Sequence, residues 1–191
     1  MRLFSLMLLM LCYMWASAQN WLSFSSQNYI GLLEGQHGSS MQLQTINGAR
    51  LKSWFGGLGT GIDWYYQRSI PIFLSVNKDF GKVRDRNFFA AANGGVSFPW
   101  MTDNINKEFG YTIDKTTPGA YWSLGMGYKI PVGKNDDAIL LQVAYSYKHI
   151  REHVAGSFYP TDVFPSLTDD LTNRIDYYLH QFAFKIGWNF E

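Results

Sequence analysis

The most regular pattern in the chain is an alternation of large apolar side chains with small or polar ones. In HQFAFKIGWNFE (180–191), Phe182, Phe184, Ile186, Trp188 and Phe190 share one set of positions, and Gln181, Ala183, Lys185, Gly187 and Asn189 share the other. A period of two marks a pleated strand with unlike faces, because successive side chains leave opposite sides of the backbone. The same alternation runs through DAILLQVAYSYKH (137–149), YWSLGMGYKI (121–130) and IPIFLSVNKD (70–79), where Phe73 breaks the polar set. Weaker versions lie in FGGLGTGIDWYY (55–66), NFFAAANGGVSF (87–98), SSMQLQTING (39–48) and NYIGLLEG (28–35), the last hardly alternating. This predicts eight strands, most about ten residues long, the length that crosses a bilayer as a tilted strand.

The links between the strands sort into two kinds. GARL (48–51), GKVRDR (81–86) and PVGKND (131–136) follow strands two, four and six and read as tight turns, whereas 99–117 and 151–174 read as long loops. Tight turns on one rim and long loops on the other are the asymmetry of an outer-membrane barrel. The bulk of the apolar faces decides which side is the lumen. An eight-stranded barrel has an interior only just wide enough for side chains to fill. Trp64, Trp122, Tyr145, Tyr147, Phe182, Phe184, Trp188 and Phe190 together would overfill it, which argues against a soluble barrel carrying an apolar ligand. The opposite faces, with Gly57, Gly59, Gly61, Gly125, Gly127, Ser146, Ala183 and Gly187, suit a narrow lumen in which a glycine leaves room for a large side chain opposite. Tyr65, Tyr66, Tyr147, Tyr177, Tyr178 and Trp188 fall near strand ends, where aromatic belts meet lipid headgroups.

Composition sharpens this picture. The 191 residues include 16% charged and 17% aromatic side chains with a formal net charge of +1, so no nucleic-acid footprint is present. The opening MRLFSLMLLMLCYMWASAQN has a basic residue, an apolar run and the small-x-small Ala16-Ser17-Ala18, the pattern of a signal peptide. The expected division is a signal peptide over 1–18 and a barrel domain over 19–191. Cys12 lies inside that signal, so disulfides do not hold the barrel.

Three stretches carry a family resemblance: TINGARLKSWFGGLGTGIDWYYQRSIPIFLSV (45–76), AYWSLGMGYKIPVGKNDDAILLQVAYSYK (120–148) and the final strand. With them the chain resembles the small OmpA/OmpX-like outer-membrane β-barrel proteins, the "porin family" of Bacteroidetes type. The resemblance implies an all-β, eight-stranded antiparallel up-and-down transmembrane barrel in the bacterial outer membrane. It further implies a monomer among outer-membrane lipids and lipopolysaccharide, inserted by the barrel-assembly machinery. Family members typically end on an aromatic residue, and here Glu191 follows Phe190.

Candidate chemistry is sparse. HIREHV (149–154) matches the His-x-x-Glu-His of inverted zinc proteases, but on a strand the two histidines stand about 13 Å apart, too far to share a metal. His37-Gly38-Ser39 is similar to the His-x-Ser of lipid A deacylases, yet it sits in a Gly-flanked turn. GGLGTG (56–61) lacks the helix and Gly-Lys-Ser/Thr ending of a phosphate loop. No catalytic residue, cofactor or metal is expected. The candidate residues are instead lumen charges: Glu34, Asp63 and Asp79 on the first four strands, and Lys129, Lys148 and Lys185 on the last three. A charge in a protein-lined interior is costly unless paired, so an internal ion-pair network is expected, with Glu34 and Lys185 meeting where the barrel closes. The expected role is structural or surface-interacting, with a narrow channel and a lipid-modifying enzyme as alternatives.

Overall fold

The computed structural model describes residues 22–81, 88–100, 105–106, 111–132, 137–155 and 173–191, and every regular element among them is a strand. In chain order these are β1 (Leu22–Gly35), β2 (Gly38–Leu51), β3 (Trp54–Asp63), β4 (Ser69–Phe80), β5 (Phe88–Pro99), β6 (Ile105–Asn106), β7 (Tyr111–Thr117), β8 (Gly119–Pro131), β9 (Ala138–Ala155) and β10 (Asn173–Phe190). All pairings are antiparallel. Strands β1 to β5, β8, β9 and β10 follow one another around the wall, and β10 pairs back onto β1 to close an eight-stranded barrel. Strand β7 prolongs β8 along the same neighbour, with Thr117 opposite Arg151 and Tyr121 opposite Lys148. Pro118, which has no N–H to give a ladder, separates the two. Strand β6 folds onto β7 as a short hairpin, so part of the predicted 99–117 loop is extra wall.

The connections after β2, β4 and β8 gather at one end, the turn end, and those after β1, β3, β5 and β9 at the other, the loop end. Strands β9 and β10 have 18 residues each. At about 3.3 Å per residue they reach roughly 60 Å, far more than a tilted bilayer crossing requires, so their loop-end halves form a raised wall.

One predicted turn is a strand. GARL lies inside β2, which runs on to Leu51 and turns at Lys52-Ser53, with Lys52 at φ 56°. Asn47-Gly48 reads as a hairpin signal, but Gly48 is there for closeness: a Cβ on it would sit 2.1 Å from the Gly56 carbonyl oxygen of β3. The pairing of β2 with β3 therefore continues past it without interruption.

Alternation puts the oily faces outward. Leu74 is 67% exposed while its neighbour Phe73 is 1% exposed, so Phe73 is the large inward residue that broke the pattern of its strand. The interior is nevertheless bulkier than the glycine-rich faces suggest. Tyr29, Phe55, Phe73, Phe89 and Tyr121 fill its middle with Ile46 and Leu140. Glycines across the ladder admit them: a Cβ on Gly59 would lie 2.3 Å from Phe73, one on Gly127 2.3 Å from Phe89, and one on Gly187 2.5 Å from Tyr29. Each of these glycines is the register partner of its aromatic. Two residues expected in the outer belt turn inward. Tyr65 is buried in the connection after β3, and Tyr177, on the inward parity of β10, packs against the same inner cluster.

Candidate functional site: a filled and charged lumen

The lumen is stacked in layers, each built by strands that alternate inward at one height. At the turn end, Asp79 of β4 lies between two cations. Arg50 Nη1 of β2 stands 2.5 Å from its Oδ2, and Lys129 Nζ of β8 stands 2.6 Å from its Oδ1. Glu191, just past β10, completes the group at 2.9 Å from Arg50 Nε. The Ser23 hydroxyl donates to Glu191 at 2.8 Å, and the Glu191 backbone N–H donates to Asp137 at 3.1 Å.

Amides and aromatics cross the middle. Lys185 Nζ donates to Gln44 Oε1 at 2.9 Å, and Gln44 Nε2 donates to the Tyr121 hydroxyl at 3.0 Å, joining β10, β2 and β8 across the barrel. Asn77 Nδ2 and the Tyr29 hydroxyl both donate to Gln27 Oε1, at 2.8 and 3.1 Å. The Tyr121 ring leans on Phe73 with centroids 5.4 Å apart.

Nearer the loop end, Lys148 of β9 has a fully buried side chain and stands 3.1 Å from Asp63 Oδ2. It also donates to the Ser69 hydroxyl at 3.1 Å and to the carbonyls of Tyr65 and Gln67 at 2.9 and 3.3 Å. The other Asp63 oxygen accepts the Tyr65 N–H at 2.7 Å. Leu33, Tyr65, Ile150 and Leu179 pack around this pair as an apolar plug.

Five of the six predicted lumen charges therefore point inward: Asp63, Asp79, Lys129, Lys148 and Lys185. Glu34 does not. It lies on the outer face opposite Phe182, bound by the Ser39 hydroxyl, while Lys185 opposes Gly31 and Gln142. The expected Glu34 to Lys185 contact is thus absent, because β1 is apolar on both faces: Tyr29 and Leu33 point in, Ile30 and Leu32 out. Arg50 was the missing member of the turn-end group, hidden by reading its stretch as a turn. Extending the β2 alternation through Gln42, Gln44, Ile46 and Gly48 would have reached it.

The other motifs disperse. His149 and His153 share one face of β9 while Glu152 is buried on the other. His149 Nε2 is 3.0 Å from Asp176, which also holds Arg151 at 2.8 Å. No cluster of three metal-ligating side chains occurs among the described residues. The Ser39 hydroxyl is engaged by Glu34, while the His37 ring packs on Tyr66 at 4.9 Å and its backbone N–H donates to the Tyr65 hydroxyl. His180 sits on the outer wall, its Nδ1 2.6 Å from the Tyr145 hydroxyl. GGLGTG is strand β3, with Gly57 and Gly59 facing in.

No protein-family model matches the chain, and no curated protein matches it. Among solved structures, Neisserial surface protein A (NspA) is similar with a TM-score of 0.52 at 10% identity, over 88% of this chain and 97% of its own. The outer membrane protein OprG from Pseudomonas aeruginosa gives 0.46 at 12% identity over 90% and 96%. A designed transmembrane β-barrel gives 0.41 at 10% identity over 87% and 95%. The likeness to NspA, together with the closed antiparallel ladder, defines the class: an eight-stranded barrel of outer-membrane type.

Proposed function

We infer that the protein is a bacterial outer-membrane barrel with a structural or surface-interaction role and a lumen that passes no solute. The observation that carries this reading is the loop-end block. A fully buried lysine pinned to Asp63 and to two carbonyls, beneath packed Leu33, Tyr65, Ile150 and Leu179, supports a closed axis. The outer wall supports the location, since Leu74, Met126, Ile186 and Phe184 are exposed in a band that only hydrocarbon suits. The raised wall of β7, β9 and β10 would then stand outside the cell with the long connections, among lipopolysaccharide headgroups. The resemblance to OmpA/OmpX-like barrels agrees with insertion by the barrel-assembly machinery.

Fractionation and single-channel recording test both halves. The protein should sediment with outer membranes and show heat-modifiable migration in detergent gels, and in planar bilayers it should give no conductance steps. Steps in the unaltered protein would favour the channel alternative, and recovery as a soluble protein would remove the membrane reading.

A further inference from the structure

The wall is not uniformly oily. On β1 the outward residues run Phe24, Ser26, Asn28, Ile30; on β2 they run Leu43, Thr45, Asn47, Ala49, Leu51; on β3 Thr60 lies between Leu58 and Ile62. The bracketing residues are openly exposed, with Phe24 at 67%, Ile30 at 59%, Leu43 at 39% and Leu51 at 46%. The polar strip thus has apolar wall above and below it on β1 and β2, and it lies within the hydrophobic band, not at its edge. Across the ladder its members adjoin: Ser26 opposes Asn47, Asn28 opposes Thr45 and Thr45 opposes Thr60. Elsewhere the outward positions of β8 to β10 in the band are Leu124, Met126, Leu141, Val143, Phe184 and Ile186.

Lipid tails offer no hydrogen bond, so a carboxamide facing them is left wanting. Within the strip the one side-chain bond among the described residues is a long one, 3.4 Å from Asn28 Nδ2 to Ser26 Oγ. A shallow groove of about 590 Å³ runs beside it, with Asn28 and Thr45 among Ile30, Leu43, Ile186 and Trp188. The strip carries no charge, and its amides both donate and accept, so it is complementary to itself.

We propose that this strip is the contact face for a second copy of the chain, a proposal that rests on the membrane reading above and replaces the monomer expected from the sequence. Two copies inserted in the same direction are related by a two-fold axis along the membrane normal, so each residue meets residues of its own depth. Asn28 and Asn47 stand one same-face step apart on neighbouring strands, and strand tilt brings them to nearly one height. Asn28 of each copy then faces Asn47 of the other, and the hydroxyls of Thr45 and Thr60 flank the pair. The apolar rims of the groove close over these bonds and keep lipid out.

Single-cysteine variants in a Cys12→Ser background, oxidised in isolated outer membranes, test the contact. Thr45→Cys and Asn47→Cys should give a band at twice the monomer mass, while Val143→Cys and Leu124→Cys on the far wall should not. Asn28→Leu with Asn47→Leu should leave folding intact and weaken association about tenfold when followed by labelled subunits in liposomes. Membrane-located protein with no strip-specific band overturns the second-copy contact and leaves the barrel reading standing. A crosslinked band at any other mass overturns the choice of partner. Protein found outside the membrane overturns both readings.

Discussion

At the turn end of the lumen, Asp79 is held by two cations, and a second acid, Glu191, stands beside them with its side chain 11% exposed. At the loop end, Lys148 meets one carboxylate and completes its shell with two backbone carbonyls and a hydroxyl. The difference follows depth. The Arg50 side chain, 10% exposed, reaches both Asp79 and Glu191, so the group carries redundancy. Beneath the apolar plug Lys148 finds its partners in fixed protein atoms: a carboxylate, two carbonyls and a hydroxyl. The turn end is therefore a tolerant network and the loop end a single pinned contact.

The largest expected effect tests that contrast directly. Lys148→Met should remove the cation opposite Asp63 and leave a buried carboxylate with no ionic partner, a loss of about 3–5 kcal/mol. Lys129→Met leaves Arg50 on Asp79 and should lose clearly less. Urea unfolding in liposomes, followed by tryptophan fluorescence, reads both. Equal losses would show that redundancy at the turn end is not real.

Between the two ends the aromatic layer sets the next scale. Gly59→Ala places a methyl 2.3 Å from the Phe73 ring, and overpacking of this kind costs about 1–3 kcal/mol. Phe73→Leu in the same chain should recover much of it, whereas Phe73→Leu alone should destabilise. If Gly59→Ala is neutral, the middle layer is loose and the two ends are not held at fixed height by it.

How much of this was legible follows from whether one face of a strand is distinct. Strands β8 and β10 alternate cleanly, so their inward Lys129 and Lys185 were placed without the fold. Strand β1 has apolar residues on both faces, so the parity of Glu34 was free to slip by one, and in a strand a slip of one reverses every side chain. The Asn47-Gly48 pair hid Arg50 because a local turn signal and a close backbone approach both call for glycine. The filled centre was harder still. Phe73 and Phe89 show as inward only when their glycine partners on adjacent strands are known, and that is register information no single strand contains. The polar strip was present in the sequence as Ser26, Asn28, Thr45, Asn47 and Thr60, but only pairing gathers it into one patch.

A smaller effect should come from Glu191→Gln. Arg50 keeps Asp79, so the change should be clearly smaller than that of Lys148→Met. It should shrink at high salt more than the Asp63 pair does, because the Arg50 and Glu191 side chains are 10% and 11% exposed and those of Lys148 and Asp63 0% and 3%. The Asp63 pair, sealed from ions, should show little salt dependence under the same conditions. A strong salt response in Lys148→Met relative to the unaltered chain would mean that electrolyte reaches the loop-end layer.

The smallest effect belongs to Glu152, which lies above the plug at the height where Arg151 and Asp176 already face outward as charges, beyond the hydrophobic band. It points inward and is buried, no partner side chain meets it among the described residues, and burial raises its pKa above the ordinary 4.5. It is thus the opposite of Asp63, an acid at the same end with no lysine. A raised folded-state pKa means that the native state takes up a proton more readily than the unfolded chain. The penalty is therefore absent below the ordinary value, grows as pH rises through the window up to the folded pKa, and is complete above it. Glu152→Gln should stabilise the barrel at neutral pH and leave it unchanged in acid below that window. Urea midpoints at the two pH values measure this. An identical shift at both would show that the carboxylate is not penalised, and the loop end would then be wetter above Lys148 than its packing indicates.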